Sequence, residues 1–299
     1  MVDISASMVK ELREKSGAAM MDCKKALVEA EGDLEKAFEV LRQKGVAVAT
    51  KKQGRTASEG LVVGQISADG KTGAIVEINC ETDFVARNDQ FVELSKQVSD
   101  LVLKNKPADV EQFLSQSAGD KKVSELVTEA VAKTGENIIL RRLAVFQAAG
   151  EGIVGLYIHA LGGKMGAILE LSSTKAVDRE KLSAIAREVA MHVVSAKPQY
   201  ITRDEIPADV VENERRIELG KADLAEKKPE MREKIVTGRV DKILNERSLN
   251  DQMFVKDPNS TVGKYLQTKG AELGTELKPV RFALFILGEL AAETNGKED

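Results

Sequence analysis

An aromatic side chain and a carboxylate, Phe84 and Asp83, lie side by side in the polar segment 80–88, which has the sequence CETDFVARN. The segment separates an apolar run at 74–78, typical of a strand, from an amphipathic stretch at 89–103, typical of a helix. Such junctions usually face solvent, so an aromatic residue there is best explained by insertion into a partner. The alternative is that Phe84 folds back and caps its own helix, since large apolar side chains tend to be buried. These residues alone leave both interpretations open.

Covalent catalysis is not indicated by the sequence, although 48 acidic residues are present. We find no nucleophile, general base and oxyanion donor in a recognisable order, and we predict no catalytic residue. His192 lies among apolar residues of a helix predicted over 182–196, which favours a place in the core over catalysis. His159 precedes the predicted Gly162–Gly163 turn and is the better candidate for a functional contact, although a purely structural role explains it equally well.

Nucleotide and metal sites are not indicated either. The sequence Gly-Ile-Val-Gly at 152–155 lacks the Gly-Lys-Ser/Thr ending of a phosphate loop, and 162–166 belongs to a predicted hairpin instead of preceding a helix. Two cysteines, Cys23 and Cys80, and two histidines show no spacing typical of a zinc site or of a disulfide framework. We predict that both cysteines are reduced and that the protein uses no metal or other cofactor.

The balance of charge favours a protein partner over nucleic acid. Lys and Arg total 44 and Asp and Glu total 48, which gives a formal net charge of -4 and no basic surface for a phosphate backbone. No run approaches the ~18 to 20 apolar residues of a membrane span, and the N-terminus lacks the residue order of a signal peptide. We therefore expect no direct nucleic-acid partner, no membrane association and a cytoplasmic location.

The N-terminal region has the periodicity of helices. Apolar residues recur at helical spacing, and Asp33 is placed to cap a third helix at its N-terminus. The glycines predicted to separate or end these helices are Gly17, Gly32 and Gly45. Three short helices form only a marginal core, which is typical of a docking module. The segment 51–55, in which three of the five residues are basic, is predicted to tether this module to the next part of the chain.

The rest of the chain contains a repeated unit. The sequence Val-Val-Gly at 62–64 recurs as Ile-Val-Gly at 153–155, an offset of 91 in residue number. The sequence Gly-Ala-Ile-Val-Glu at 73–77 recurs as Gly-Ala-Ile-Leu-Glu at 166–170, an offset of 93. One α+β unit used twice predicts two related subdomains with antiparallel sheets, side by side in one core.

The second unit carries an insertion. The strand sequence at 140–146 recurs at 279–285, an offset of 139, which exceeds the earlier offset of 91 by 48. An apolar stripe at a seven-residue step, formed by Val210, Ile217 and Leu224, predicts an antiparallel coiled-coil hairpin. Its role as a contact arm or as a solvated spacer stays open. The predicted units are the module and tether at 1–55, the subdomains at 56–148 and at 149–204 with 246–290, the hairpin at 205–245, and a polar tail at 291–299.

Two motifs are similar to those of the elongation factor Ts family. One is the segment 80–88, whose ETDFVARN resembles the family pattern ETDFVAR/KN. The other is LREKSGAAMMDCKKAL at 12–27, which departs from the family's LRExTGAGMMDCKKAL only through Ser16 in place of Thr and Ala19 in place of Gly. The resemblance extends from about residue 4 to about residue 288.

This resemblance implies an exchange factor that binds the GTPase elongation factor Tu and speeds the release of its GDP. By resemblance, Asp83 and Phe84 push between helices of the GTPase domain and disturb its magnesium and phosphate contacts, while Lys24 docks the same domain. His159 and Val255 are weaker candidates, in the subdomain that contacts the third domain of the GTPase. The partner-binding residues implied in this way are Lys24, Thr82, Asp83, Phe84, Val85, Thr134, Gly135, His159 and Val255.

A second class of function stays open. An adaptor with an N-terminal module similar to ubiquitin-associated (UBA) domains would tether a partner without accelerating nucleotide release, and a tether needs no inserted aromatic side chain. Either class acts by binding without covalent chemistry, so we expect the protein not to be an enzyme. The sequence does not fix the number of copies, and a homodimer or a 2:2 complex with the partner is compatible with it.

Overall fold

The computed structural model describes residues 4–16, 18, 20–160 and 162–289. Across these residues it combines α-helices with antiparallel β-sheets, so the α+β fold class predicted from the sequence is confirmed. Gly17, Ala19 and the segment 290–299, which includes the predicted tail, lie outside the described residues. None of the helices in the described ranges combines the length and the hydropathy that crossing a membrane requires.

The N-terminal part consists of three helices, α1 (Ala6–Ser16), α2 (Met20–Glu29) and α3 (Leu34–Lys52). Apolar side chains of all three form a small core, in which Leu12 and Leu27 are buried. Asp33 caps α3, because its Oδ1 accepts hydrogen bonds from the backbone N–H groups of Glu35 at 3.0 Å and Lys36 at 3.1 Å. The N-cap predicted from the sequence is confirmed.

The first sheet unit follows α3. Its elements are β1 (Glu59–Ile66), β2 (Thr72–Cys80), α4 (Asp83–Ala86), α5 (Asp89–Asn105), α6 (Val110–Ser115), β3 (Ser117–Ala118), β4 (Lys121–Lys122), α7 (Val123–Thr134) and β5 (Ile139–Gln147). The long strands form an antiparallel sheet in the order β1-β2-β5. Helix α5 packs on this sheet through Phe91, Val98 and Val102, all of which are buried.

The second sheet unit has the same plan. Its elements are β6 (Ile153–Ile158), β7 (Met165–Ser173), α8 (Arg179–Ala196), α9 (Ala208–Leu219), α10 (Pro229–Arg247), β8 (Met253–Phe254), β9 (Asp257–Thr261), α11 (Val262–Leu273) and β10 (Leu277–Ile286). Strands β6, β7 and β10 form an antiparallel sheet in the order β6-β7-β10. They correspond to β1, β2 and β5, so the repeat in the sequence is present as two sheets with one strand order.

The two sheets pack against each other through one apolar cluster. Its buried members are Val62, Ile75, Phe146, Val154, Ile168 and Phe285. Each sheet also holds a buried glutamate, 2.7 Å from an arginine of the next strand, and that arginine lies 4.4 Å from the ring centre of a phenylalanine of the other sheet. The two sets are Glu77–Arg142–Phe285 and Glu170–Arg281–Phe146. This reciprocal arrangement joins the repeats into one core.

Two expectations for the N-terminal part are wrong. Gly45 lies inside α3 instead of ending a helix, and Lys51 and Lys52 of the predicted tether form the last turn of that helix. The physical reason is tertiary packing, because α3 lies against α7. A Cβ atom added at Gly45 would be only 3.2 Å from the Cβ atom of Ala132, so the glycine lets the two helices approach closely.

The inserted residues form an antiparallel pair of helices, α9 and α10, which an ion pair between Arg215 and Glu233 links at 2.5 Å. The predicted apolar stripe is wrong at Ile217, which is 47% exposed, whereas its neighbour Glu218 is buried. The next member of the stripe, Leu224, lies beyond the end of α9 at Leu219, so the seven-residue step does not follow one helix face. The coiled-coil character of this pair stays a prediction.

Candidate interaction site

Phe84 lies in the short helix α4, at the junction between β2 and α5, and it is 83% exposed. The two residues that follow it face the other way, since Val85 packs against the core of the first unit and Ala86 is buried. The alternative in which Phe84 folds back onto its own helix is therefore wrong. The junction holds a large aromatic side chain in water while the adjacent residues anchor the backbone.

Two caps define the backbone of this junction. Thr82 is the N-cap of α4, and its Oγ1 accepts a hydrogen bond from the N–H of Val85 at 3.3 Å. Asn88 is the N-cap of α5, and its Oδ1 accepts a hydrogen bond from the N–H of Gln90 at 2.8 Å. The direction of Phe84 is therefore set by capped turns on both sides and not by burial of its own ring.

The turn between α7 and β5 lies against the start of this junction. The carboxylate of Glu136 accepts three hydrogen bonds, from the N–H of Glu81 at 3.1 Å, the N–H of Thr82 at 3.0 Å and the hydroxyl of Thr82 at 2.6 Å. In return, the carboxylate of Glu81 accepts a hydrogen bond from the N–H of Asn137 at 2.7 Å. That bond is the main cause of a lowered pKa for Glu81, and the positive charge of Arg55 adds to it.

Thr134 and Gly135, two residues implied by the resemblance, belong to the same assembly. Gly135 ends α7 with a φ of 71°, a conformation that favours glycine, and a Cβ there would meet no atom within 4 Å. Its carbonyl oxygen accepts a hydrogen bond from Nζ of Lys52 at 2.6 Å. The structure thus brings Thr82 together with the turn that contains Thr134 and Gly135, and it places the end of α3 beside them.

Further charged groups lie on α4 and on α2. Asp83 and Arg87 form an ion pair at 3.0 Å, one helical turn apart, on the solvent side of α4. Lys24 is exposed on α2, next to the exposed apolar side chains of Met21 and Val28. Lys24 therefore lies on the N-terminal helices, on a different element from Phe84.

His159 and Val255 belong to the second sheet unit. Nδ1 of His159 is 3.2 Å from the hydroxyl oxygen of Tyr157, and the ring is half-buried. Val255 is 44% exposed, and its N–H donates a hydrogen bond of 3.2 Å to Nδ1 of His192. His192 itself is fully buried and also bonds to Gln252, so the prediction of a core position is confirmed. Burial is the main cause of a lowered pKa for His192.

The cysteines and the acidic residues give no sign of another chemistry in the part of the chain that is described. Cys23 and Cys80 are both buried, and both are free in this structure. Burial raises the pKa of Cys80 to about 12, which keeps its thiol protonated and unreactive. No three His, Cys, Asp or Glu side chains among the described residues are grouped to hold a metal ion.

Comparisons with known proteins show the family to which the chain is similar. A family model described as Elongation factor TS matches residues 81–289. Elongation factor Ts of Trichlorobacter lovleyi is 45% identical over 291 residues, which cover 96% of this chain and 93% of that protein. The chain belongs to the elongation factor Ts family. Elongation factor Ts of Syntrophotalea carbinolica is 46% identical over 288 residues, and that of Clostridium botulinum is 45% identical over 290, with the same coverage.

Family membership makes the chain part of a group of translation elongation factors and confirms the resemblance found through the two motifs. Sequence reasoning had named Thr82, Thr134 and Gly135 separately, and it had missed Glu136, which joins them. The contact links residues 54 positions apart, so no local pattern revealed it. The repeat offered one signal, since at the offset of 139 Glu136 of the first unit aligns with Thr275 of the second, which marks the same position in both units.

Proposed function

We propose that this member of the elongation factor Ts family is a guanine-nucleotide exchange factor. It binds elongation factor Tu in its GDP form and promotes the release of GDP, which supports translation elongation in the cytoplasm. The observation that carries the proposal is the 83% exposure of Phe84 on a backbone that is hydrogen-bonded on both sides. An aromatic side chain presented in this way is suited to a pocket on a partner, because little ordering is left for the binding step.

The proposed activity needs no covalent chemistry. A GTPase holds GDP through backbone amides of its phosphate loop and through a magnesium ion that bridges phosphate oxygens and side chains. A protein that binds the nucleotide-free GTPase more tightly than the GDP form weakens GDP binding by the same factor. The exchange factor therefore acts by differential binding, is not an enzyme in the covalent sense and needs no cofactor of its own.

The residues at the first junction take different parts in this mechanism. Phe84 enters between helices of the GTPase domain, and Asp83 makes polar contacts at the same place, which together disturb the magnesium and phosphate site. Thr82 and Val85 support the inserted turn from either side. The other contacts proposed with elongation factor Tu are Lys24, Thr134, Gly135, His159 and Val255.

The remaining parts of the chain serve docking in this proposal. The UBA-like module within 1–55 holds the GTPase domain, and the second subdomain (149–204 with 246–290) contacts the third domain of the GTPase. The hairpin at 205–245 is a separable insertion in that subdomain. Complexes with one copy or two copies of each protein are both compatible with these surfaces.

The experiment is a stopped-flow measurement of labelled GDP leaving elongation factor Tu, with and without this chain, at fixed magnesium. We expect release to become faster as the chain is added and to reach a plateau. The same chain should not accelerate release from an unrelated GTPase, which is the control for a non-specific effect. Binding to elongation factor Tu without any acceleration would replace the exchange factor by the adaptor.

A further inference from the structure

The proposed function gives Glu136 no contact with the partner, yet both of its carboxylate oxygens accept hydrogen bonds within the chain. Oε2 accepts the N–H groups of Glu81 and Thr82 at 3.1 Å and 3.0 Å, and Oε1 accepts the hydroxyl of Thr82 at 2.6 Å. Hydrogen bonds to an ionised acceptor are stronger than those between neutral groups. Glu136 therefore fixes the two residues that precede α4.

In the second unit a different side chain accepts the backbone amides at the corresponding strand end. The offsets of 93 and 139 between the repeats align Glu81 and Thr82 with Thr174 and Lys175, and Glu136 with Thr275. In that unit Oγ1 of Thr275 accepts the N–H groups of Thr174 and Lys175, both at 3.1 Å. A neutral hydroxyl is thus sufficient to satisfy the two backbone amides where the strand ends. The carboxylate supplies a further acceptor only in the unit that has α4.

That further acceptor matters for the cap of α4. A hydroxyl has one proton to donate, and the hydroxyl of Thr82 gives it to Glu136 while its lone pair faces the N–H of Val85. Donation to a carboxylate strengthens the same oxygen as an acceptor. A helix of four residues does not hold itself together, and Phe84 adds no burial of its own. The order of the turn therefore depends on Glu136, together with the packing of Val85 and Ala86.

We infer that Glu136 is a positioning residue for Phe84: it holds the Thr82 cap so that the aromatic side chain is presented to the GTPase in one direction. Glu136 itself does not touch the partner. The functional half of this inference rests on the proposed exchange activity, whereas the ordering of the turn by Glu136 can be tested on the chain alone.

The first test is amide hydrogen exchange on the free protein. Glu136→Ala should lower the protection of the Val85, Ala86 and Arg87 amides by at least about tenfold, with the protection of β2 and β5 unchanged. Glu136→Gln keeps an oxygen for the two amides and should show a smaller loss. The matched control Thr275→Val should lower protection only at Thr174 and Lys175. Unchanged protection at 85–87 in Glu136→Ala would overturn the inference, and if that variant fails to fold, Glu136→Gln decides in the same way.

The second test is a double-mutant cycle on catalysed GDP release. Glu136→Ala should slow release about 5- to 20-fold when Phe84 is present and less than about twofold in a Phe84→Ala background. Thr275→Val should leave release within about twofold of the unmodified chain. An equal loss in both backgrounds would mean that Glu136 acts independently of Phe84, which overturns its positioning role. Failure of the unmodified chain to accelerate release would remove the proposed function, while the hydrogen-exchange result would still decide whether Glu136 orders the turn.

Discussion

The two strand-to-helix junctions of this protein begin alike and end differently. In both, a buried middle strand ends where two backbone amides bond to a side chain from the turn before the third strand. The first junction then uses eight residues, 81–88, before α5 begins, and the second uses five, 174–178, before α8 begins. The longer junction contains α4, which holds Phe84 in solvent.

The difference separates what the fold needs from what the function uses. The second unit closes its sheet with the shorter junction, in which Val177 packs against the core of its own unit. The exposed ring of Phe84 is therefore not required for closing a sheet of this kind. We interpret the first junction as the strand-to-helix connection that both units share, with the added helix α4, which presents Phe84 for contact with a partner.

The largest expected effect is on stability, and it contrasts two phenylalanines of the first unit. Phe91 of α5 is 1% exposed and Phe84 is 83% exposed. Phe91→Ala should lower the free energy of unfolding by about 3 to 5 kcal/mol, through lost burial and a cavity, whereas Phe84→Ala should change it by less than about 0.5 kcal/mol. Urea unfolding followed by circular dichroism measures both. A loss for Phe84→Ala as large as that for Phe91→Ala would mean that the Phe84 ring supports the fold.

The next prediction exchanges the junctions. Replacing residues 81–88 by the Thr-Lys-Ala-Val-Asp of 174–178 should keep the sheet and α5 folded, because the second unit closes in this way. Catalysed GDP release should fall at least about 30-fold, since the whole inserted turn is removed. Stopped-flow release and a thermal melt of the same preparation check the two parts. Full exchange activity in the replaced chain would place the activity elsewhere, and loss of folding would show that the first sheet needs its longer junction.

A smaller effect follows from the acidic residues of the first junction. The pKa of Glu81 is lowered chiefly by the hydrogen bond from the N–H of Asn137. The ionised Glu81 side chain therefore stabilises the fold at pH values above its ordinary pKa of 4.5, and this contribution is lost as the pH falls through the lowered pKa. Glu81→Gln should therefore reduce the melting temperature by about 1 to 2 °C at pH 7, and the difference should vanish at acidic pH. The hydroxyl of Thr275 does not titrate in this range, so Thr275→Val should give a pH-independent difference. A Glu81→Gln difference that persists in strong acid would contradict the assignment.

The smallest effect is expected from the hairpin of the second unit, because the first unit has no counterpart of it. Removing 205–245 and closing the gap with a short Gly/Ser linker should leave the cooperative melt of the core nearly unchanged, because the first unit folds without such an insertion. A thermal melt followed by circular dichroism checks this. Loss of a cooperative transition would mean that α9 and α10 belong to the core, and loss of exchange with the melt intact would reveal a contact in the hairpin.

Periodicity and repetition in the sequence predicted much of this architecture. The offsets of 91, 93 and 139 between matching segments predicted two related subdomains with antiparallel sheets and a helical insertion in the second. The structure adds that the two sheets have one strand order. Local patterns failed where tertiary contact decides the outcome. Gly45 resembles a helix end in sequence, but it is a close-approach site between α3 and α7. Ile217 fits a seven-residue stripe, but α9 ends before the stripe continues.

The candidate site was predicted only in part, for a similar reason. The motif 80–88 identified Phe84, but its position gave burial and exposure equal weight, and only the packing of Val85 and Ala86 decided between them. Glu136 could not be found by a local pattern, since its three bonds join residues 54 or 55 positions apart. Contacts between distant segments set the geometry of this site, whereas the motif identified only the types of side chain at it.

The central claim is that Phe84 speeds GDP release by insertion into elongation factor Tu, and one measurement tests it most directly. Release of labelled GDP is followed by stopped flow with the unmodified chain and with Phe84→Ala, at fixed magnesium and again in EDTA. We predict release about 30-fold slower with Phe84→Ala at fixed magnesium, as for a central aromatic anchor, and a smaller defect in EDTA because the ion is already gone. A defect of equal size in EDTA would remove the magnesium part of the mechanism. Equal release rates with the two proteins at fixed magnesium would contradict the account as a whole.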